Sequence, residues 1–292
     1  MARLGSSSFA VTQLGRRCFW NLGPNDFYEY VRSYVKTKAE LDKEAFANPA
    51  TNYYDKEVRD KVRSCERCSH TYKLAPDGLC RDACNYHPGE LYRNQKDRRY
   101  RYTCCNRSKS ASNPGCVRQP THGFVSTNNA VGSHPVVLAI DCEMCLTKLG
   151  SECTRVSVVD KDCKTVYESL VWTEEPILNY VTQYSGITED ILNKGPTKSL
   201  KQVQDDLLQI LRPDTIVIGH SIANDLKALK MHHDALVETA IIFKRGHRWP
   251  SLREVALEHL NKVIQDKGNE GHDSAEDAIT CILLMKHVVA SS

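Results

Sequence analysis

Apolar residues recur along the second half of the chain with the periods of strands and helices. Residues 136–140 form an unbroken apolar run, which is typical of a strand buried on both faces. Further buried strands are predicted in four places, at residues 154–159, 166–172, 215–218 and 236–243. The short turn at residues 160–162 predicts that the strands on either side of it form an antiparallel hairpin.

Helical spacing of apolar residues lies between and after these strands. An amphipathic helix is predicted from Leu200 to Leu211, where Pro213 stops it. Three more helices are predicted at Asn224-Asp225-Leu226, at residues 252–264 and from His272 onward. Strands that alternate with helices predict an α/β sheet in this half.

An isolated apolar stripe lies near the N-terminus. Asp26 can cap a helix, and apolar residues follow at helical spacing from Phe27 to Val35, before Asn48-Pro49 ends the pattern. We expect this stripe to pack against the rest of the protein, with a protein-binding helix as the alternative. The preceding 25 residues contain three arginines and no acidic residue before Asp26. A disordered basic tail is favoured there over a mitochondrial presequence.

Length and composition predict a large domain beside a smaller module. The chain has 292 residues, and its longest apolar runs are far too short to cross a membrane. Residues 1–134 carry 22 Lys and Arg against 13 Asp and Glu, whereas the remainder carries 17 against 23. The net charges are therefore +9 and −6. A basic module beside an acidic, metal-neutralised site suits a polyanionic substrate, with ordinary surface variation as the alternative.

Four segments follow from these patterns. Residues 1–57 form an N-terminal tail and helix, residues 58–125 a Cys/His module, residues 126–134 a linker, and residues 135–292 the α/β domain. The linker is assigned from its Ser, Asn and Gly content.

The Cys/His module has the residues for two tetrahedral zinc sites. The chain has 13 cysteines, an odd number, without a clear secretory signal, which favours zinc over disulfides. The eight candidate zinc ligands are Cys65, Cys68, Cys84, His87, Cys104, Cys105, Cys116 and His122, with Cys80 as a spare. The Cys-x2-Cys and Cys-x2-His spacings let two ligands of one turn reach one metal, but the full pairing stays open. Few large apolar residues lie here, so zinc would supply much of the folding free energy.

A basic and tyrosine-rich segment lies inside this module, at residues 93–102. Basic residues between tyrosines suit phosphate contact and base stacking. A solvated charged loop is the alternative explanation.

Two carboxylates close the first apolar run of the α/β domain. Asp141 and Glu143 are two residues apart, so they share one face of the strand. Buried anions this close repel unless a cation lies between them, and paired oxygen ligands suit Mg²⁺. A solvated strand edge is the alternative.

Other candidate residues follow later strands and turns. Asp225 lies in the first turn of a helix after a buried strand, where α/β sheets place their sites. His272 and Asp277 bracket one face of the last helix. The alternative for Asp225 is an acid at a helix N-terminus that the helix dipole favours. The alternative for the last helix is that His272 and Asp273 merely begin it.

The order Asp141-x-Glu143, Asp225, His272-x4-Asp277 resembles the DEDDh class of 3′→5′ exonucleases. Further motifs are similar to the RNA exonuclease 1 family, the relatives of the GOR antigen: residues 139–144, 154–156, 184–188, 219–221 with 225–229, and 273–278. The cysteine-rich module resembles that of animal members and, in its paired cysteines and Cys-x2-His-Pro-Gly motif, CHORD-type zinc domains. The resemblance covers about residue 61 to the end. The family usually has Asp-Thr where this chain has Glu238-Thr239.

This resemblance implies an α/β fold with an RNase H-like mixed sheet and flanking helices, preceded by a small zinc-binding module. It implies two Mg²⁺ or Mn²⁺ ions in the active site: Asp141 would bridge both, Glu143 and Asp277 would complete one site, and Asp225 would serve the other. His272 would act as general base. Met144, Ile187 and His220 would contact the substrate, although the first two could equally be core residues.

The function expected from the resemblance is metal-dependent 3′→5′ hydrolysis of single-stranded RNA from its 3′ end. The products would be nucleoside 5′-monophosphates and the role RNA 3′-end processing. The alternatives are a non-catalytic, zinc-dependent RNA- or protein-binding protein, and the same chemistry on DNA ends. The family implies a nuclear location, with the mitochondrion as the alternative from the acid-free N-terminus.

Overall fold

The structure is a computed structural model. It describes residues 24–37, 40–41, 63–65, 68, 70–73, 82–87, 91–110, 115–119, 122, 125–127, 130, 132–148, 150–173, 175–266 and 271–291. The predicted basic tail, the helix end at Asn48-Pro49 and the spare ligand Cys80 lie outside these residues.

Short elements make up the described part of the first 126 residues. They are helix α1 (Pro24–Arg32) and strands β1 (Arg63–Ser64), β2 (Thr71–Tyr72), β3 (Cys84–Tyr86), β4 (Leu91–Arg93), β5 (Tyr100–Tyr102), β6 (Val117–Gln119) and β7 (Val125–Ser126). Three antiparallel pairs form within the module: β1 with β2, β3 with β6, and β4 with β5.

Longer strands and helices follow. The strands are β8 (Val137–Thr147), β9 (Gly150–Asp160), β10 (Thr165–Trp172), β11 (Ile177–Asn179), β12 (Thr197–Ser199), β13 (Ile216–Gly219), β14 (Met231–His232) and β15 (Leu236–Glu238). The helices are α2 (Thr182–Ser185), α3 (Glu189–Lys194), α4 (Leu200–Ile210), α5 (Ile222–Ala228), α6 (Thr239–Ile242), α7 (Leu252–Leu260) and α8 (Ser274–Ser291). None of the described helices is long and apolar enough to cross a membrane.

A mixed seven-stranded sheet organises this half of the chain. Its order is β12-β10-β9-β8-β13-β15, with β11 paired to β8. Strand β9 pairs antiparallel with both β8 and β10, which confirms the predicted hairpin, whereas β12 pairs parallel with β10. Strands β13 and β15 continue parallel to β8. A meander of three antiparallel strands continued by parallel strands, with helices on both faces, is the expected RNase H-like arrangement.

The apolar run that opens β8 is buried on both faces, as predicted. Val137 and Ala139 belong to one core cluster, whereas Leu138 and Ile140 belong to the cluster on the opposite face. Helices α7 and α8 pack in the first cluster, and α4 and α5 pack in the second. Alternation along the strand therefore builds two apolar layers around one sheet.

Helix α1 belongs to this core although the sequence places it in a separate segment. Phe27 and Val31 are buried against the layer that contains α7 and α8. The Tyr28 hydroxyl donates to the backbone oxygen of Asp214 at 2.7 Å. After the helix, Lys36 bridges Leu236 on the outermost strand β15 and so covers part of the sheet edge. The predicted packing of the N-terminal stripe is confirmed.

Two predicted elements differ from the structure. The strand predicted at residues 236–243 ends at Glu238, and helix α6 follows at once. The Glu238 carboxylate accepts the backbone N–H of Ala240 at 2.9 Å and thereby caps that helix. The helix predicted at residues 252–264 ends at Leu260, because Asn261 adopts a left-handed conformation with φ of 49°.

Candidate active site

Three elements of the sheet domain bring the predicted carboxylates together. Asp141 and Glu143 lie on β8, Asp225 lies in the first turn of α5, and Asp277 lies in the first turn of α8. Strands β8 and β13 are parallel, and α5 begins directly after β13. The backbone N–H of Cys142 donates to Asp225 Oδ1 at 3.0 Å, which fastens α5 to the strand that carries the first two acids.

The start of α5 depends on a buried glutamate. Ser221 has a left-handed backbone with φ of 63°, so the chain turns sharply from β13 into the helix. Glu238 accepts the N–H groups of Ser221 and Ile222 at 2.8 and 2.9 Å. Burial raises the pKa of Glu238 to about 7 although these hydrogen bonds oppose the shift. We infer that Glu238 positions Asp225 by holding the first turn of its helix.

Burial shifts the pKa of all four acids upward, and repulsion within the group adds to the shift for Asp141 and Glu143. Burial raises the pKa of Glu143 to about 8 and that of Asp277 to about 6. The pKa of Asp141 lies well above its usual value because of burial and the nearby Asp225 and Asp277. Burial also raises the pKa of Asp225, against the hydrogen bond from Cys142. Without a cation, this group therefore binds protons more readily than exposed carboxylates do.

The donor set fits a divalent cation. Glu143 Oε1 and Asp277 Oδ1 are buried without a hydrogen-bond partner in the described part of the chain. A buried carboxylate oxygen without a donor is costly, and hard cations such as Mg²⁺ bind such oxygens. Asp141, Glu143, Asp225 and Asp277 are therefore the residues that could hold such a metal.

His272 lies just before α8, beside the acids. Its Nδ1 is 4.0 Å from Asp277 Oδ2, and its side chain is 30% exposed. Its backbone N–H donates to the backbone oxygen of Tyr184 at 2.7 Å, and the Tyr184 ring contacts the imidazole edge-on. A Cβ on the preceding Gly271 would lie 2.1 Å from the nitrogen of Gly186, so the loop needs glycine to dock this closely. Burial and Arg253 lower the pKa of His272, which keeps the ring neutral.

The three predicted substrate contacts occupy different environments. Ile187 is fully buried with Cys145 and Leu192, which is the position of a core residue. Met144 is half-buried and follows an irregularity in the β8–β9 pairing immediately after Glu143. It is the more exposed of these two apolar candidates.

His220 is engaged within the protein through both ring nitrogens. Nδ1 lies 2.9 Å from Thr239 Oγ1, and Nε2 lies 3.1 Å from the backbone oxygen of Pro250. Burial lowers its pKa to about 4. This geometry argues against the predicted substrate contact and for a structural role, in which His220 joins β13 to the start of α6.

Gln265 is a residue of the site that the sequence analysis missed. Its Nε2 donates to Asp277 Oδ2 at 2.6 Å and so orients the carboxylate. The contact joins the loop after α7 to the first turn of α8, and no local pattern in the sequence indicates it.

The candidate zinc ligands form two sets in the module. One set is Cys65, Cys68, Cys84 and His122, and the other is His87, Cys104, Cys105 and Cys116. The ligand atoms of each set lie within 4.8 Å of one another. Among the described residues the four acids of the sheet domain do not form a set this tight.

Distances inside both sets match tetrahedral zinc. Zn–S bonds of about 2.3 Å and Zn–N bonds of about 2.0 Å place two sulfurs about 3.8 Å apart, and a sulfur and a nitrogen about 3.5 Å apart. The observed distance is 3.7 Å between the sulfurs of Cys65 and Cys84. It is 3.3 Å between Cys68 Sγ and His122 Nδ1 in the same set, and 3.4 Å between Cys105 Sγ and His87 Nδ1 in the other.

The pairing corrects one expectation from the spacing. Cys84 and His87 are only three residues apart, yet they belong to different sets. Cys84 is the first residue of β3, an extended strand of three residues, and His87 follows the strand, so the chain carries the two side chains apart. Strand β3 therefore links the two candidate zinc sites.

Comparison with known proteins gives consistent relatives. Residues 138–285 match the family RNase_T, described as an exonuclease. The chain is 36% identical over 289 residues to the human RNA exonuclease 1 homolog, an alignment that covers 88% of this chain and 23% of that protein. It is 48% identical over 158 residues to RNA exonuclease 1 of Saccharomyces cerevisiae (53% and 28% coverage), and 38% identical over 244 residues to exonuclease GOR of Pan troglodytes (76% and 35%).

These alignments span about a quarter to a third of the curated relatives' own length. Among solved structures, the catalytic unit of Neurospora crassa Pan2, with its protease and nuclease domain, superposes with a TM-score of 0.49 and 20% identity. That alignment covers 71% of this chain and 43% of the Pan2 chain.

Proposed function

Because the chain belongs to the exonuclease family RNase_T, which matches residues 138–285, we propose that it is a metal-dependent 3′→5′ exoribonuclease. Its substrate is single-stranded RNA with a free 3′ end, and its products are nucleoside 5′-monophosphates. The observation that carries this proposal is the four-carboxylate group beside His272, in which Glu143, Asp225 and Asp277 are buried and two carboxylate oxygens lack a hydrogen-bond donor in the described part of the chain.

The four acids hold the divalent cations in this proposal. The charges of the other three acids all act on Asp141 and raise its pKa, so Asp141 would share bound cations with them. Glu143 and Asp277 present the two oxygens that lack donors in the described part of the chain, and Asp225 is fixed by the Cys142 N–H. Bound cations would offset the repulsion of these acids and stabilise the charge that develops on the scissile phosphate.

His272 serves as the general base. A neutral imidazole can accept the proton of the attacking water, and the lowered pKa keeps this ring neutral around pH 7. The Asp277 carboxylate lies 4.0 Å from Nδ1 of His272, and Gln265 orients that carboxylate by a hydrogen bond. The partly exposed position leaves His272 a path to return the proton to solvent.

Two further parts of the proposal come from the module and the relatives. We propose that both Cys/His sets bind Zn²⁺ as structural sites, because all four ligand positions in each set are filled by protein groups. The relatives whose names contain RNA exonuclease support an RNA substrate, and we propose a role in RNA 3′-end processing in the nucleus.

The test follows a 20-nucleotide single-stranded RNA labelled at its 5′ or its 3′ end. With Mg²⁺, the 3′ label should leave first as a mononucleotide, and the 5′-labelled strand should shorten in single steps. Replacement of Mg²⁺ by Ca²⁺, which leaves zinc in place, should stop the reaction. Asp141→Asn should abolish the hydrolysis, whereas the matched change Asp205→Asn on the exposed face of α4 should not.

The outcomes separate the proposal from its alternatives. Release of the 5′ label first would contradict the polarity. Equal or faster hydrolysis of a DNA oligonucleotide of the same sequence would move the proposal to DNA ends. No hydrolysis by a folded, zinc-loaded protein would favour a binding protein without catalysis.

A further inference from the structure

The β4–β5 hairpin is the most exposed aromatic and basic surface of the described module. Its strands Leu91–Arg93 and Tyr100–Tyr102 are joined by a six-residue loop. Tyr100 is 56% exposed, and Leu91 and Tyr92 are also exposed. Leu91 and Tyr100 share one face of the hairpin, so this face presents an exposed apolar and an exposed aromatic side chain together.

The hairpin and its flank carry a concentrated positive charge. Residues 91–110 contain seven Lys and Arg and a single acid, Asp97. That acid is bound to Arg101, so it does not offset the remaining cations. The side chains of Arg93, Lys96 and Arg98 are exposed and form no ion pair within the described parts of the chain. A net charge of +6 over twenty residues favours a polyanionic partner.

The register of the hairpin separates its two faces. Tyr92 lies opposite Arg101 on one face, and both are held by Asn106: the Tyr92 hydroxyl donates to Asn106 Oδ1 at 2.6 Å, and Arg101 Nη1 donates to its backbone oxygen at 2.9 Å. This face is therefore fastened to the loop that follows β5.

The other face combines an anchor with a free aromatic ring. Leu91 lies opposite Tyr102, and Arg93 lies opposite Tyr100. The Tyr102 ring stacks on the zinc-ligand candidate His87, with centroids 3.7 Å apart and planes 8° from parallel. At the next pair on the same face, Tyr100 lies opposite Arg93, next to the basic loop. The stack of Tyr102 on His87 thus anchors the base of the hairpin, and an aromatic ring and cations lie exposed at its tip.

We propose that the tip of this hairpin, formed by Arg93, Arg98, Arg99 and Tyr100, binds single-stranded RNA upstream of the 3′ end that enters the active site. Arginine side chains contact successive phosphates, and an unpaired base stacks on Tyr100. A second contact on the same strand raises the effective concentration of the 3′ end at the nuclease site. This inference rests on the proposed function for its substrate class.

Single-stranded nucleic acid fits this surface better than other polyanions do. Anionic lipid headgroups would use only the cations and offer no flat base, whereas an unpaired base can also stack on the exposed Tyr100 ring beside Arg93. A base paired in a duplex is already stacked and cannot use that ring.

The test compares a trinucleotide with a 20-nucleotide RNA, using the full chain loaded with zinc. The variants are the double change Arg98→Glu/Arg99→Glu and the single change Tyr100→Ala. The double change Lys161→Glu/Lys164→Glu, in the β9–β10 turn, alters the net charge equally and serves as the control. Zinc content and thermal unfolding establish that every variant retains its fold.

We expect both hairpin variants to turn over the trinucleotide like the unchanged protein. For the 20-nucleotide RNA, KM should rise about tenfold in the charge variant and about fivefold in Tyr100→Ala, with kcat retained. Loss of two phosphate contacts should also lower the slope of log Kd against log salt by about 1.4. The control variant should change neither value by more than about twofold.

The outcomes distinguish this inference from the proposed function. Unchanged KM and Kd for the long RNA in both hairpin variants would overturn the inference and leave the exonuclease proposal in place. Equal loss in the control variant, or a 20-base-pair RNA duplex that binds as tightly as the single strand, would also overturn it. If the Asp141→Asn protein binds long RNA through the hairpin while the unchanged protein hydrolyses neither substrate, the inference holds and the exonuclease proposal fails.

Discussion

The zinc-ligand module and the sheet domain assemble metal ligands by opposite means. Between residues 63 and 122 of the described chain, the buried apolar side chains are the ligand cysteines Cys65 and Cys84. In the sheet domain, two large apolar clusters surround the strand that carries Asp141 and Glu143. One region places its candidate metal ligands where a core would be, and the other places them on a strand that two apolar clusters enclose.

Ligand charge explains the difference. Thiols and imidazoles can be neutral without a metal, so four of them can approach within 4.8 Å. Carboxylates repel, and burial makes the repulsion worse, as the raised pKa values of Asp141 and Glu143 show. Only a rigid, well-packed scaffold can hold such acids together. Removal of zinc should therefore unfold the module, whereas removal of Mg²⁺ should lower the melting temperature of the sheet domain but leave it folded.

The largest expected effect is the loss of a zinc ligand. Cys84→Ser should release one zinc per chain and unfold β3 and its neighbours, because structural zinc contributes about 10–16 kcal/mol of apparent binding free energy. Zinc per chain and hydrogen exchange of residues 84–102 measure this. Hydrolysis of a trinucleotide should persist. Cys163→Ser, outside both sets, is the control, and retention of two zinc ions by Cys84→Ser would contradict the assignment.

The second effect concerns activity without unfolding. Asp225→Asn should lower kcat by about 10³-fold, because in the proposed function this residue would hold a cation at the reacting phosphate. Without Mg²⁺ but with zinc bound, the Asp225→Asn protein should melt at the same or a higher temperature than the unchanged protein under the same conditions. One buried charge is removed, while Asn can still accept the Cys142 N–H. Trinucleotide hydrolysis and thermal unfolding are the measurements. A clear drop in melting temperature would show that the acid is needed for folding.

The third effect tests whether α1 belongs to the sheet domain. Phe27→Ala removes a buried ring from the first core cluster and should lower the free energy of unfolding by about 3 kcal/mol. Zinc content should not change. Glu29→Ala on the exposed side of the same helix should alter stability by less than about 0.5 kcal/mol. Zinc loss in Phe27→Ala with the sheet domain intact would place the helix with the module instead.

The smallest effect is the pH dependence of Mg²⁺ stabilisation. The pKa values of Glu143 (about 8) and Asp277 (about 6) lie above their unfolded values, so the folded protein binds more protons than the unfolded chain does. Metal-free stability should therefore fall as pH rises from about 5 to 8. Mg²⁺ should raise the melting temperature more at pH 8 than at pH 5.5. An equal rise of the melting temperature with Mg²⁺ at both pH values would contradict the proposed ligand set. The control variant Asp205→Asn should keep the difference between the two pH values.

Local patterns predict much of the sheet domain. The apolar run at residues 136–140, the hairpin around Asp160 and the helices from Leu200 and His272 follow from periods that neighbouring residues set by themselves. Strand and helix periods also place the acids at the ends of buried elements. Residue chemistry within short spacings identifies the eight Cys and His that the structure collects into two sets.

Other features depend on residues that are distant in the sequence. The end of β15 at Glu238 is set by N–H groups from Ser221, Ile222 and Ala240, two of them far along the chain. His220 is directed to Thr239 and Pro250 by the same junction. A side chain's own neighbours in sequence do not specify such partners.

What the sequence by itself determined is the set of elements and the chemistry that each can carry. The tertiary structure decided that Cys84 and His87 serve different sets, that α1 joins the core, and that Gln265 orients Asp277. The physical reason is range: backbone periods and residue chemistry act over a few positions, whereas ligand pairing, core membership and carboxylate orientation depend on which distant surfaces pack together.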